Sequence, residues 1–154
     1  MRLGTKRLIL RNYKKTDLKA LVENINNLKV TQFLLVVPFP YTKADGEWWI
    51  NHCLEVSKES PPKSIEIAIE SKSEKKIIGA IGLSKIDYSA SASTFGYWLG
   101  EKYWRQGIMS EALNEALKFA FEKLKLNRLE AGVFAENTAS ARLLEKLGFK
   151  KEGV

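Results

Sequence analysis

One cysteine, one histidine and four prolines are all that 154 residues contain of those types. A lone Cys53 excludes an internal disulfide framework, and one Cys with one His excludes a zinc cluster of the usual ligand set. No apolar run approaches the ~20 residues that cross a bilayer, so no membrane partner is expected. The opening "MRLGTKRLILRNYKK" lacks a signal-peptide h-region and cleavage site, which points to the cytoplasm. Neither GxxxxGK[ST] nor GxGxxG occurs, so neither a Walker A loop nor the dinucleotide fingerprint is present. No internal repeat is found, and "SASAS" (Ser89–Ser93) reads as a loop.

What is present suits one domain over residues 1–154. The chain is 45% hydrophobic and 28% charged, ordinary for a globular protein with a real core. A net charge of +7 admits a polyanionic partner: nucleic acid, a phosphate-rich cofactor or an acidic protein surface. The lysines, however, are scattered among glutamates as on an ordinary solvated surface. With no basic-aromatic RNA motif either, nucleic acid is not the expected direct ligand.

Periodicity then orders the elements. "RLILRNY" (Arg7–Tyr13) is β-like, and Thr16 is the expected N-cap of a helix over "DLKALVENINN". "VVPFPY" (Val36–Tyr41) must be extended or turning. Thr42 and Asp45 form an expected capping box for "KADGEWWINHCLEVSKES". "SIEIAIES" (Ser64–Ser71) alternates as a half-buried strand. "KIIGAIGLSKID" (Lys76–Asp87) and "STFGYWLG" (Ser93–Gly100) continue a meander. Met109, Ala112, Leu113, Ala116, Leu117, Ala120 and Leu124 recur at helical spacing. A strand over Asn127–Ala135 follows, then a helix over Asn137–Phe149 stopped by Gly148. A last strand begins at "KKEGV". The order predicts an α/β fold with a mixed sheet flanked by about four helices.

The junction "YWLGEKYWRQGIMSEAL" carries the chemistry. A strand turns through one glycine into a long helix whose first N–H groups lack intrahelical partners and whose dipole makes that end positive. Glycine lets a ligand approach the backbone, so the junction can seat phosphate or pyrophosphate. The bland alternative is a plain loop-to-helix transition.

The stretch from Gly96 to Gly153, with "YWRQGIMSEAL" followed by "ENTASARLLEKLGF", resembles the acetyl-CoA-binding half of GNAT-superfamily N-acetyltransferases. Its branch is similar to the RimJ/RimL-type ribosomal-protein N-terminal acetyltransferases. The resemblance implies a mostly antiparallel sheet with a splayed parallel pair. It also implies acetyl-CoA as cosubstrate without a metal, and direct transfer to a primary amine through a tetrahedral intermediate. The family's pyrophosphate loop falls on Trp104, Arg105, Gln106, Gly107, Ile108 and Met109, with Ser110 in the helix's first turn. Trp104 stands where an Arg or Gln is usual, so backbone N–H groups must do the binding, with Arg105 as a possible charge. Tyr97, Trp98, Leu99 and Gly100 take the strand that pairs with the pantetheine arm. A backbone N–H near Leu99 is the implied oxyanion donor. Asn137 aligns with the cofactor-bonding asparagine and doubles as an N-cap. The family's thiolate-protonating tyrosine is replaced by Leu144, and Ser140 could reach the CoA sulfur instead.

An amine must lose a proton, so a base is needed. Glu66 and Glu101 are the candidates beside ordinary surface roles; His52 reads as a helix-edge residue and Cys53 has no motif-placed partner for nucleophilic work. A water chain is the remaining option. Phe39, Tyr41, Trp48 and Trp49 could line the acceptor's entry, or simply pack. The acceptor is expected to be a protein N-terminal amine. The rivals are a small amine (polyamine, amino acid or aminoglycoside), a non-catalytic acyl-CoA sensor and a nucleic-acid module. Relatives continue beyond "GFKKEGV", so the chain looks cropped or its sheet is completed by a partner, which allows a homodimer.

Overall fold

The structure is a computed structural model that describes residues 1–34, 36–131 and 138–150. A six-stranded sheet forms its centre: β1 (Arg2–Gly4), β2 (Leu8–Arg11), β3 (Ile65–Ser71), β4 (Lys76–Asp87), β5 (Ala92–Leu99) and β6 (Arg128–Ala131), in that spatial order. Neighbours are antiparallel except β5 and β6, which run parallel with Ala92 opposite Arg128 and Phe95 opposite Ala131. Helices α1 (Leu18–Ile25), α2 (Leu28–Thr31) and α3 (Lys43–Val56) lie between β2 and β3 in sequence. Helix α4 (Ile108–Glu122) is the crossover from β5 to β6, and α5 (Thr138–Lys146) follows.

The mixed sheet and the β3–β5 meander are as the alternation predicts. Two small elements were not expected. β1 is three residues long, too short to show a period. Helix α2 is one turn, held by the Asn27 side chain accepting the Lys29 N–H at 2.9 Å. The distal part of the strand expected over Asn127–Ala135, the residue Asn137, and all but the first residue of the strand expected from Lys150 lie outside the described residues.

Each strand sends alternate residues to two cores. Leu8, Leu10, Ile67, Ile69 and Ile81 turn to the face covered by α4 and α5. Ala68, Ala80 and Ile77 turn to the face covered by α1 and α3. Helix α4 buries Met109, Ala112, Leu113, Ala116 and Ala120, the stripe its sequence predicts. Leu113 is wholly enclosed, and truncating it to alanine would cost about 3 kcal/mol.

The start of α1 corrects one expectation. Thr16 is not its cap: residues Lys15–Asp17 form a 3-10 turn, and Asp17 accepts the Lys14 N–H at 2.7 Å. Asp17 also takes both guanidinium N–H bonds of Arg11, at 2.9 and 2.8 Å. A carboxylate this buried must have a cation, so Asp17 rather than Thr16 ties the turn to β2; removing one partner would cost about 3–5 kcal/mol. The Thr42–Asp45 capping box forms as expected at the start of α3. Helix α3 ends at Val56, short of the Ser60 end expected from the sequence. Gly148, at φ +97°, lies just past the end of α5, where the Phe149 N–H returns to the Leu144 carbonyl at 2.9 Å. Among the described residues no helix is long and apolar enough to cross a membrane.

Candidate active site

Helix α4 begins without a side-chain cap. Its N-cap, Gly107, sits in the left-handed region (φ +73°, ψ 10°), and Arg105 two residues earlier is left-handed as well (φ +61°). The loop is braced from behind. The Trp104 indole N–H donates to the Leu99 carbonyl at 2.7 Å, and the Gln106 side chain donates to the Lys102 carbonyl at 3.0 Å. Arg7, at the start of β2, donates to the Gln106 carbonyl at 2.9 Å and to Glu111 at 2.8 Å. Glu111 also accepts from the Thr5 hydroxyl and the Arg7 N–H. Burial would raise its carboxyl, but these bonds from Thr5 and Arg7 bring it below the usual carboxylate range. Ile108 and Met109 are anchored by buried side chains. The first-turn N–H groups of Ile108, Met109 and Ser110 therefore present a fixed, electropositive edge suited to phosphate oxygens.

The strand leading there has a second polar edge. The Gly100 N–H donates to the Ile78 carbonyl at 2.8 Å. By the two-residue alternation of an antiparallel ladder, Trp98 also turns its backbone groups toward β4, while Tyr97 and Leu99 turn theirs toward the β6 side. β5 and β6 pair from Ala92 with Arg128 to Phe95 with Ala131. The Tyr97 side chain crosses the α5 face, where its hydroxyl is hydrogen-bonded to the Ser140 hydroxyl. Burial pushes the Tyr97 phenol up, and the Ser140 bond partly offsets this.

The opposite face carries a carboxylate. Glu66 on β3 pairs with Gly82 on β4, which pairs with Gly96 on β5. The three share the α1/α3 face with Ala68, Ala80 and Trp98. The Glu66 carboxylate lies over Gly82: a Cβ there would be 2.6 Å from its Oε2. A Cβ on Gly96 would meet nothing within 4 Å. Burial raises the Glu66 carboxyl to about 7.

The other expected residues divide. Glu101 is an exposed partner of Asn27 (2.7 Å) and Lys29 (3.1 Å), whose hydrogen bonds, Asn27 first, hold its carboxyl below the usual range. It is a poor proton acceptor. His52 stacks on Trp48 with ring centroids 5.2 Å apart, the helix-edge role expected of it. Cys53 is buried, and burial pushes its thiol up, away from thiolate chemistry. Tyr41 is 6% exposed and Trp49 is half-buried; both belong to the core beneath α3. Phe39 and Trp48 stand exposed.

Sequence reasoning missed three contributors: Arg7, the Tyr97 hydroxyl and the Gly82–Gly96 pair. Each depends on a contact between distant residues. Only the glycines left a sequence signal, as breaks in otherwise β-rich strands.

An uncapped helix start directly after a central strand is suited to a phosphate-bearing cosubstrate. The family described as Acetyltransferase (GNAT) domain matches residues 7–150, and the chain belongs to it. The chain is 33% identical over 152 residues to the uncharacterized N-acetyltransferase p20 of Bacillus licheniformis, covering 99% of this chain and 84% of that one. The ribosomal-protein-S5-alanine acetyltransferase of Vibrio fischeri shares the fold with a TM-score of 0.78 and 25% identity, over 99% and 85% of the two chains. Spermidine N-acetyltransferase of Vibrio cholerae, solved with CoA and spermine, gives a TM-score of 0.80 at 23% identity, over 97% and 84%, a likeness of fold. This chain is accordingly an acetyl-CoA-dependent N-acetyltransferase of the GNAT family.

Proposed function

We propose that the protein acetylates a protein N-terminal α-amine of the ribosomal-protein type by direct attack on acetyl-CoA. The observation that carries this reading is a hydroxyl pair on one face of β5, the Glu66 carboxylate two strands away on the other face of the sheet, and N–H groups directed outward from β5. The likeness to the S5-alanine acetyltransferase supports the choice of acceptor.

In this reading the phosphates meet the N–H groups of Gly107, Ile108, Met109 and Ser110, with Arg105 adding charge. Trp104 and Gln106 hold the loop's shape. The pantetheine arm runs along the segment Tyr97, Trp98, Leu99 and Gly100 and pairs with the outward backbone groups of Tyr97 and Leu99. The Leu99 N–H donates to the thioester oxygen as it becomes negative; the Tyr97 N–H is directed the same way. The amine nitrogen bonds to the carbonyl carbon and its proton passes to Glu66, directly or through water. The C–S bond then breaks, and the departing thiolate takes a proton from Ser140, backed by Tyr97. Asn137 serves as a further cofactor ligand. Phe39 and Trp48 flank the acceptor's approach, with Tyr41 and Trp49 fixing the segment that carries them.

Incubation with acetyl-CoA and N-terminal peptides, lysine peptides and small amines, followed by free-thiol release, tests the reading. N-terminal peptides should be the fastest acceptors. Faster turnover of a polyamine would move the assignment to small amines, and no thiol release with any amine would overturn amine acetylation.

A further inference from the structure

The stretch "NINN" (Asn24–Asn27) closes α1 and opens α2, and each of its three asparagines reaches out of the turn. Asn24 is 6% exposed, and its amide N–H donates to the Ile77 carbonyl at 2.9 Å. Ile77 flanks the irregularity where the β3–β4 register shifts between Ile69 and Glu70. That bond fixes which way the amide faces and aims its oxygen at Gly100. A Cβ on Gly100 would stand 2.8 Å from the Asn24 Oδ1 and 3.2 Å from its Cγ, so glycine is what lets the amide come this close. Asn26 accepts the Tyr41 N–H at 2.8 Å and holds the end of the segment that carries Phe39. Asn27 does two things. Its oxygen caps α2 by accepting the Lys29 N–H at 2.9 Å, and its amide donates to one Glu101 oxygen at 2.7 Å. The Lys29 ammonium donates to the other Glu101 oxygen at 3.1 Å.

Gly100 and Glu101 are the two residues that follow β5 and lead into the turn before Trp104. Asn24 of α1, with Asn27 and Lys29 of the α2 turn, therefore grips the exit of that strand. From other directions the Gly100 N–H is held by the Ile78 carbonyl at 2.8 Å, and the Leu99 carbonyl by the Trp104 indole at 2.7 Å. The short run from Leu99 to Glu101 is thus fixed by α1, α2, β4 and the loop before α4 at once. Its bonds to Glu101 are charge-assisted, which makes them short and directional. We infer that Asn24 and Asn27 are positioning residues for acetyl-CoA: through Gly100 and Glu101 they set the last N–H of β5 and the loop that leads to Gly107. Neither touches the cosubstrate, and both act through the strand end. The inference rests on the proposed seat of acetyl-CoA along β5 and the start of α4. It also gives Glu101, a poor proton acceptor, a task of its own. Misplacement by about 1 Å at a reacting centre can cost about 100-fold in rate, so bracing of this kind is consequential.

The test reverses the polarity of one bond. Asn27→Asp keeps the α2 cap, because aspartate caps as well as asparagine, but it turns the donor facing Glu101 into a second carboxylate. Tm should stay within about 3 °C of wild type, while the Kd for acetyl-CoA, measured by calorimetry without any amine, should rise about three- to tenfold. Adding Glu101→Gln to Asn27→Asp puts a donor opposite an acceptor again and should return Kd to within about twofold of wild type. Asn26→Ala loosens the same turn without touching Gly100 or Glu101, and should leave that Kd within about twofold. Gly100→Ala should raise Kd about fivefold by driving Asn24 and the strand end apart, and less than about twofold in an Asn24→Ala background, where the methyl has room. Asn24→Ala also strips the donor from the Ile77 carbonyl, so if it does not fold, the Asn27 and Glu101 variants decide the matter. An unchanged Kd in Asn27→Asp, no recovery in its double variant, or an equal rise in Asn26→Ala would overturn the positioning role. Gly107→Ala separates that failure from a misplaced seat. Normal acetyl-CoA affinity in both Gly107→Ala and Asn27→Asp would overturn the seat and the positioning together; normal affinity in Asn27→Asp alone would leave the seat standing.

Discussion

The Tyr97 hydroxyl, delivered by β5, is hydrogen-bonded to the Ser140 hydroxyl on α5, 43 positions away in sequence. This joins the strand edge to the helix that carries the proposed proton donor. A phenol is far more acidic than an aliphatic alcohol, so Tyr97 is the natural donor in the pair. Its bond stabilises Ser140 as that residue gives its proton away. Leu144, further along α5, is buried in the core and has no proton to give. Tyr97 supplies the phenol at Ser140 from another element.

Ser140→Ala should lower kcat about 100-fold while raising the Kd for acetyl-CoA far less, because the loss falls on the departing thiolate. Tyr97→Phe should lower kcat about tenfold and leave KM for the acceptor nearly unchanged. The two changes should not add in a double variant, since they remove one bonded unit. Steady-state kinetics on all three variants checks this; additive losses would show that the hydroxyls act separately.

Gly107→Ala separates binding from folding at the phosphate seat. The added methyl has room, since its nearest neighbour would be Arg7 at 3.7 Å. The left-handed backbone still costs an L-residue about 1 kcal/mol, so Tm should fall by only about 2–4 °C. Acetyl-CoA affinity should fall at least tenfold, because the methyl stands where phosphate must approach. Thermal melts and ligand titration together give the answer; a large Tm loss with normal affinity would refute the assignment.

Arg7→Met should act on the same loop from behind. The guanidinium holds the Gln106 carbonyl and Glu111, but it is 44% exposed, so the ion pair itself adds little stability. The expected result is a Tm within about 3 °C of wild type and an acetyl-CoA Kd about three- to tenfold higher, as the loop loses its brace and Glu111 its counter-charge near the phosphates.

Much of the fold was legible because it is written in local periods. The alternation of "SIEIAIES" and the helical stripe from Met109 to Ala120 each bury one face, and the uncapped start at Gly107 shows as a glycine ahead of that stripe. Thr16 misled because a hydroxyl is the usual N-cap, whereas here a buried Arg11 claims the neighbouring Asp17. Arg7 reaches the Gln106 carbonyl across 99 residues, and no local pattern marks such a contact. Glu66 was readable as a carboxylate on a strand. That Gly82 and Gly96 lie beside it follows only from register, because β3, β4 and β5 pair as they do.

Glu66 should also leave a signature in stability against pH. Its carboxyl titrates at about 7 when folded and near 4.5 when exposed, the shift being due to burial. Between those values the folded state holds the proton more tightly than the unfolded state, so stability falls as pH rises from about 4.5 to about 7. The contribution is fully present below 4.5 and gone above 7. Its size should be roughly 2 kcal/mol, discounted for the carboxylate's partial contact with solvent. Glu66→Gln cannot ionise and should remove this slope, making the variant more stable than wild type above neutral pH. Urea unfolding across the range measures it.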